Sequence, residues 1–318
     1  RIAAIRPTAA GNHPAVGNCG SDHFLSFLDQ IMPAISATAP GKIILFGEHA
    51  VVYNRPAIAI PFTGVQARAM ILANPLGPSN QVRIEARDIG FDRFLDQLEA
   101  NHPFTISIQG VKDALGIDRL PAMHIRISST IPVAAGMGSS AAVAVAIVRA
   151  LSLFIGHPLE NDAVNAIAYK VEVQMHGTPS GVDNTVITFA RPVYFSRVKS
   201  LEFLSINAPF DLIVADSGQA AATGPMVEGV RQRRLKDPGA YDLMFDQIES
   251  LVEQARNSLE TGNIENLGPL IAFEAKRISQ IQLESRIAER TSDLRQTSQQ
   301  LERSLLQLRK IDQDRTKF

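Results

Sequence analysis

The sequence predicts a mixed α-helical and β-strand fold, α/β or α+β, organised in about two domains. The chain has 318 residues, and globular domains contain on the order of 150 residues each. Hydrophobic residues make up 45% and charged residues 20% of the chain, the ordinary composition of a protein with a folded core. Short β-type runs alternate with longer segments of helical periodicity, and this alternation predicts the mixed fold.

Four short runs are rich in the β-branched and aromatic residues that strands favour. They are Lys42–Phe46, Met123–Ser128, Val186–Phe189 and Asp211–Ala215. Three longer segments repeat apolar residues at helical spacing. They are Ala141–Ile155, Asn161–Gln174 and Asp242–Glu260. We therefore expect a globular region over residues 34–268.

The two ends of the chain differ in composition from this region. Residues 1–33 are rich in Gly, Pro, Asn and His and show little periodicity, so we expect a poorly structured extension with the folded part starting near Met32. Residues 286–318 are dominated by polar and charged side chains, and an apolar residue recurs every seven positions at Ile287, Leu294, Leu301 and Leu308. This repeat predicts one long helix, either a coiled coil or a solvated amphipathic helix.

Charge and cysteine content narrow the class of protein. The formal net charge is −1, which gives no electrostatic sign of a nucleic-acid partner or of an anionic membrane surface. The sequence has no apolar run of the length that spans a bilayer, so we expect no membrane partner. Cys19 is the only cysteine, which excludes an internal disulfide and makes the reducing cytoplasm the expected location.

The segment 131–142 reads Ile-Pro-Val-Ala-Ala-Gly-Met-Gly-Ser-Ser-Ala-Ala. Gly136 and Gly138 permit backbone torsions that other residues avoid, and Ser139 or Ser140 can cap the alanine-rich helix that follows. The N–H groups at such a helix start, together with the helix dipole, form an anion site that suits a nucleotide phosphate. The Lys-Ser/Thr of a Walker loop is absent. Taken alone, a plain helix N-cap is the simpler interpretation.

The segment 172–184 reads Glu-Val-Gln-Met-His-Gly-Thr-Pro-Ser-Gly-Val-Asp-Asn. Glu172 closes a helical pattern, a loop follows, and Asp183 begins a β-like run. Two carboxylates on either side of a turn can face one pocket, where one holds a hard cation and the other accepts or orients the proton of a hydroxyl. The alternative is an aspartate that caps a turn and a glutamate on the surface.

The segment 39–53 reads Ala-Pro-Gly-Lys-Ile-Ile-Leu-Phe-Gly-Glu-His-Ala-Val-Val-Tyr. Lys42 enters an apolar strand, and Gly-Glu-His leaves it. Because Lys and Glu are rarely buried without partners, the pattern favours a functional role. An edge strand with solvated ends remains the alternative.

Together and in this order, the three segments resemble the GHMP kinases, named for galactokinase, homoserine kinase, mevalonate kinase and phosphomevalonate kinase. Three parts of the sequence have the form typical of the mevalonate kinase family. They are Ala39–Lys42 with the segment 47–53, the segment 176–184, and Asp216 to Arg231, which contains Thr-Gly-Pro-Met-Val-Glu-Gly-Val-Arg from Thr223 onwards. Galactokinases typically read Gly-Glu-His-Thr-Asp in the first of these segments, and phosphomevalonate kinases typically have Tyr in place of His49.

The resemblance covers residues 34–285 and implies an α+β fold of two domains. It implies an N-terminal ATP-binding domain over 34–195 and a ferredoxin-like C-terminal domain over 196–285, which is incomplete in this chain. The implied activity is the ATP-dependent phosphorylation of mevalonate to phosphomevalonate in isoprenoid biosynthesis. ATP and Mg²⁺ are the implied cofactors, and mevalonate meets ATP in the cleft between the domains.

The resemblance also implies roles for particular residues. Asp183 takes the proton of the substrate hydroxyl, and Lys42 lies near Asp183 and the γ-phosphate. Ser140 and Glu172 correspond to magnesium ligands. The implied ATP-binding residues are Pro132, Ala135, Gly136, Met137, Gly138, Ser139, Ser140 and Ala141. The implied mevalonate contacts are Glu48, His49 and Thr223.

One motif of the GHMP kinases is missing. Their third motif is a glycine-rich loop of the form Lys-Leu-Thr/Ser-Gly-Ala/Gly-Gly that closes over the phosphates, whereas no glycine follows Gly268 in this chain. Residues 286–318 resemble instead the coiled coil that precedes the phosphoacceptor histidine of a bacterial sensor histidine kinase. We therefore expect a protruding C-terminal helix and impaired kinase activity. The alternatives are another GHMP kinase, such as a phosphomevalonate kinase, and a non-catalytic fusion that forms a homodimer through this helix.

Overall fold

The computed structural model describes residues 34–215 and 223–281, without the side chains of 223–226. Seven strands form one sheet: β1 (Ala34–Phe46), β2 (Ala57–Ala73), β3 (Val82–Ala86), β4 (Phe91–Phe94), β5 (Met123–Ser129), β6 (Val193–Phe195) and β7 (Glu202–Phe203). The α-helices are α1 (Pro103–Leu115), α2 (Ser139–Phe154), α3 (Asn161–His176), α4 (Val182–Phe189), α5 (Thr223–Lys236), α6 (Pro238–Thr261) and α7 over 267–281. Short 3-10 helices cover Ala50–Tyr53, Arg87–Ile89, Leu95–Gln97 and Ile264–Asn266. The predicted α+β class is confirmed.

The long strand β2 organises the sheet. The strand order is β4-β3-β5-β2-β6-β7, and β1 also pairs with β2. The β3–β5 pair is parallel, and every other pair is antiparallel. The register of β1 against β2 shifts between Pro40 and Gly41, immediately before Lys42. Such irregularities bend a strand and change the direction of the side chains that follow.

Two clusters of buried apolar side chains meet along the central strands. The larger cluster joins β1, β2, β3 and β5 to helices α1 to α4. The smaller cluster joins Phe46 of β1 and Ile58 of β2 to Phe245 of α6 and to Leu267 and Ile281 of α7. Helix α7 therefore packs beside the turn that follows β1, far from it in sequence.

Most of the predicted elements are confirmed. The runs Lys42–Phe46 and Met123–Ser128 lie in β1 and β5, and the three predicted helices correspond to α2, α3 and α6. The predicted extension over 1–33 and the predicted helix over 286–318 lie outside the described residues. The division into domains at residue 195 stays a prediction. In the described part of the chain, no helix is both long and apolar enough to cross a membrane.

The predicted strand at Val186–Phe189 is wrong, because these residues form the C-terminal half of α4. Gly181 adopts the left-handed conformation with a φ of 92° and is the N-cap of this helix, so the helix begins at Val182, four residues before the run Val186–Phe189. Val182 and Val186 are four residues apart and fully buried, which is the spacing of one helix face. Asp183 consequently lies in the first turn of a helix and does not begin a strand.

The predicted strand at Asp211–Ala215 is also wrong. These residues have no regular secondary structure, and their side chains are exposed, with Ile213 89% exposed. A strand needs a neighbour to receive its backbone hydrogen bonds. Within 34–215 and 223–281, no strand of the sheet pairs with this segment.

Candidate active site

The glycine-rich loop leads from β5 into α2. Gly136 and Gly138 have φ angles of 73° and 71°, in the left-handed region that glycine adopts without strain. A Cβ atom on Gly138 would lie 2.7 Å from Cδ1 of Ile187 and 3.0 Å from Cγ of Lys42. Glycine is therefore needed at position 138 both for the turn and for the close approach of Lys42.

The serines at the start of α2 do not cap it, so the predicted serine N-cap is wrong. The N-cap is Gly138, and no side chain makes a cap hydrogen bond. Ser139 is the first helical residue, and the hydroxyl of Ser140 donates instead to Oε1 of Glu172 at 2.6 Å. The first N–H groups of a helix have no intrahelical acceptor, and the helix dipole makes this end attractive to an anion.

Lys42 connects this loop to α4. Its backbone N–H donates to the carbonyl oxygen of Met137 at 3.1 Å, which fixes the loop against β1. Its side chain is buried, and Nζ lies 3.0 Å from Oδ1 of Asp183. Asp183 lies in the first turn of α4, where the helix dipole favours a carboxylate. The ion pair therefore lies between two helix N-termini, those of α2 and α4.

Glu172 lies in the last turn of α3 and is 2% exposed. Burial raises the pKa of the Glu172 carboxyl, and the nearby charge of Asp183 raises it further. The hydrogen bond from Ser140, and the charges of His176 and Lys42, act in the opposite direction. Nε2 of His176 lies 3.6 Å from Oε2 of Glu172. Burial disfavours the charged form of this carboxyl, and a cation beside it would stabilise that charged form.

The structure thus brings together four residues that the sequence analysis singled out, namely Lys42, Ser140, Glu172 and Asp183. The two carboxylates meet across the turn between α3 and α4, as predicted from their spacing. Over 34–215 and 223–281, no group of three or more His, Cys, Asp or Glu residues is arranged to hold a metal ion. A cation at Glu172 would therefore have few protein ligands, which is the usual situation of Mg²⁺ bound with substrate phosphates.

A second part of the site is the turn Gly47–Glu48–His49, which follows β1. Gly47 has a φ of 93°, and a Cβ atom there would lie 2.4 Å from the carbonyl oxygen of Pro56. His49 has a φ of 63°, which is unusual for a residue with a side chain. Burial lowers the pKa of His49, against a smaller opposite effect of Glu48. Glu48 itself is exposed, so the turn presents one buried imidazole and one accessible carboxylate.

Glu274 of α7 supports this turn and was not among the residues predicted from the sequence. Its Oε1 accepts the backbone N–H of Gly47 at 2.6 Å, and the side chain is buried. A signal was present in the sequence, because Glu274 is seven residues from Leu267 and seven from Ile281, which are both buried. A glutamate therefore occupies the apolar stripe of a helix.

The remaining predicted residues lie in the glycine-rich loop, in the first turn of α2, or at a position whose side chain is not described. Pro132 and Ala135 are in the glycine-rich loop, and Ala141 is buried in the first turn of α2. Thr223 is the first residue of α5, and its side chain is not among those described.

The fold and the site together define a GHMP-type small-molecule kinase. Residues 104–191 match the family described as GHMP kinases N terminal domain. The chain is 33% identical over 235 residues to a mevalonate kinase of Thermococcus sibiricus, covering 70% of this chain and 69% of the relative. It is 31% identical over 255 residues to a mevalonate kinase of Archaeoglobus fulgidus, covering 80% and 82%. The chain belongs to the mevalonate kinase family.

A solved structure has the same fold. It is that of L. major mevalonate kinase in complex with R-mevalonate, which matches this chain with a TM-score of 0.61 and 27% sequence identity. The match covers 77% of this chain and 75% of that one.

Proposed function

We propose that this protein transfers the γ-phosphoryl group of ATP to the hydroxyl of mevalonate, giving phosphomevalonate and ADP. The observation that carries the proposal is the buried ion pair of Lys42 and Asp183 beside the N-terminus of α2. Phosphoryl transfer depends on positioning and on stabilising charge more than on covalent chemistry. The site supplies both requirements. The N-terminus of α2 can position the phosphates, Lys42 can stabilise their charge, and Asp183 can accept the proton of the hydroxyl.

Each member of the pair has a separate task in this proposal. The carboxylate of Asp183 accepts or orients the proton of the mevalonate hydroxyl, and it is held in place by the ammonium group of Lys42. The same ammonium group stabilises the charge that develops on the transferred phosphoryl oxygens. The backbone N–H groups at the start of α2 hold the ATP phosphates, and the left-handed glycines let the loop approach them.

Ser140 and Glu172 are the residues that fit Mg²⁺. Glu172 is a buried carboxylate, and the hydroxyl oxygen of Ser140 lies 2.6 Å from its Oε1. Bound there, Mg²⁺ supplies positive charge that neutralises the ATP phosphates.

Glu48 and His49 are the proposed mevalonate contacts, together with Thr223. An imidazole that burial keeps neutral donates one hydrogen bond and accepts another. His49 also distinguishes this chain from the alternative of a phosphomevalonate kinase, in which Tyr is typical at this position.

The experiment is an ADP-release assay of the 318-residue chain at high enzyme concentration with a panel of acceptors. We expect ADP release above the ATP-only background with mevalonate, and none with phosphomevalonate, galactose or homoserine. Mass spectrometry should detect phosphomevalonate as the product. ADP release that is stimulated by phosphomevalonate would contradict the proposal. So would a chain that binds an ATP analogue but whose ADP release is stimulated by none of the acceptors.

A further inference from the structure

Helix α7 makes a buried polar contact with the turn at the end of β1. Glu274 and Gly47 are 227 residues apart in the sequence, and their hydrogen bond of 2.6 Å is buried. Glu274 is 3% exposed, and its second oxygen, Oε2, has no hydrogen-bond partner. Buried carboxylates without full hydrogen bonding are costly, so the position of this side chain calls for an explanation beyond packing.

Apolar contacts hold α7 against the same turn. Phe46 precedes the turn and Ala50 follows it, and both belong to the smaller buried cluster together with Leu267 and Ile281 of α7. The turn is therefore flanked by two residues that pack in the same cluster as α7, and Glu274 binds the backbone between them.

The backbone of this turn needs such support. Gly47 and His49 both have positive φ angles, and a residue with a side chain persists in that region only where its surroundings impose it. We infer that Glu274 is a positioning residue that holds the turn in the conformation in which Glu48 and His49 bind mevalonate. The inference rests on the proposed function for the identity of the ligand.

The contact is also sensitive to proton binding. Burial raises the pKa of Glu274 to about 7, and the charge of Glu48 adds to this effect, while hydrogen bonds from the backbone of residues 47 and 48 oppose it. His49 is the other titratable residue of the turn, and burial lowers its pKa. A carboxyl whose pKa is raised by burial destabilises its buried position as it loses its proton. The contact between α7 and the turn should therefore weaken as the pH rises through 7.

The test uses the full chain and three variants. Glu274→Gln keeps the acceptor for Gly47 but cannot ionise, and Glu274→Ala removes the acceptor. Glu265→Gln is the matched control, because Glu265 is exposed and precedes the same helix. Two quantities are measured at pH 6.5 and 8.5: mevalonate affinity by calorimetry, and amide hydrogen exchange of residues 47–52. Binding of a non-hydrolysable ATP analogue reports on the other half of the site.

We expect Glu274→Ala to weaken mevalonate binding at least about tenfold and to speed exchange in 47–52, with the ATP analogue bound as by the parent. The parent should lose about threefold or more in mevalonate affinity from pH 6.5 to 8.5, and Glu274→Gln should not. Parent-like affinity and exchange in both Glu274 variants would overturn the inference and leave the proposed function intact. Absence of mevalonate binding by the parent itself would overturn the proposed function, and the ligand named here with it.

Discussion

Nζ of Lys42 lies 3.0 Å from Oδ1 of Asp183, and this ion pair joins the strand β1 to the first turn of α4. The lysine side chain is 7% exposed and that of the aspartate 27% exposed, so one partner is enclosed while the other is accessible. An accessible carboxylate oriented by an enclosed cation is suited to accept a proton from a bound hydroxyl. Lys42 therefore lies on the interior side of the pair, and Asp183 lies on the side that a substrate can reach.

Replacing Asp183 tests its proposed role. In a version of the chain with a GHMP glycine-rich segment grafted after Ser285, Asp183→Asn should lower kcat by about 10²- to 10⁴-fold, because a positioned general base contributes that much. ATP affinity should be nearly unchanged. The control is Asp162→Asn, since Asp162 also lies in the first turn of a helix, α3, and is exposed. A kcat within threefold of the parent's would rule Asp183 out.

Replacing Ser140 and Glu172 tests the magnesium site. Each of Ser140→Ala and Glu172→Gln should raise the Mg²⁺ concentration that gives half-maximal rate in the grafted version, because Mg²⁺ uses only one or two protein oxygens. Glu160→Gln, at the opposite end of the same helix, should not. The pairing is wrong if both variants show the magnesium dependence of the parent.

Unfolding at two pH values tests the state of Glu274. Its pKa rises from the ordinary value of 4.5 to about 7 in the folded chain, so the folded state retains a proton that the unfolded state loses. The free energy of unfolding should therefore fall between pH 4.5 and 7, by on the order of 3 kcal/mol from this one group. The free energy of unfolding of Glu274→Gln should not show this fall, because glutamine does not ionise.

Urea unfolding of the parent and of Glu274→Gln, at pH 5 and pH 8, measures the effect. The variant should gain stability relative to the parent at the higher pH, whereas Glu265→Gln should follow the parent at both. If the free energies of unfolding of the variant and the parent differ by the same amount at both pH values, the pKa of Glu274 is not raised in the folded chain.

The sequence predicted the parts of the fold that local periodicity determines. The helices α2, α3 and α6 have apolar positions at regular spacing, and their bounds are close to those predicted. The run Val186–Phe189 was misassigned, because β-branched residues also fill the buried face of a helix when a left-handed glycine starts it. Asp211–Ala215 has strand composition, but pairing depends on a neighbouring strand that composition cannot supply.

The site was predicted where the motifs are contiguous. Lys42, Ser140, Glu172 and Asp183 were each singled out, and the structure places them together. Glu274 could not be connected to Gly47 in this way, because the contact forms only when α7 packs beside β1. The predicted capping role of the Ser140 hydroxyl is also wrong. Because Gly138 is the N-cap of α2, this hydroxyl donates to Glu172 of α3.

Grafting a glycine-rich segment onto the chain should raise its catalytic rate. Residues 269–318 contain no glycine, and a phosphate-binding loop supplies donors worth about 2.7–4 kcal/mol each in comparable oxyanion sites. The 318-residue chain should therefore have a kcat/KM for mevalonate at least about 100-fold below that of the grafted version. Comparable rates in a side-by-side ADP-release assay would show that the loop is dispensable here.

The most direct test of the central claim is mevalonate-dependent ADP release by the grafted version, with and without Asp183→Asn. We predict turnover that requires both ATP and mevalonate, yields phosphomevalonate and falls by about 10²-fold or more in the variant. A grafted version that binds an ATP analogue and mevalonate, yet releases ADP at the same rate with and without mevalonate, would contradict the assignment of this site as a mevalonate-phosphorylating centre.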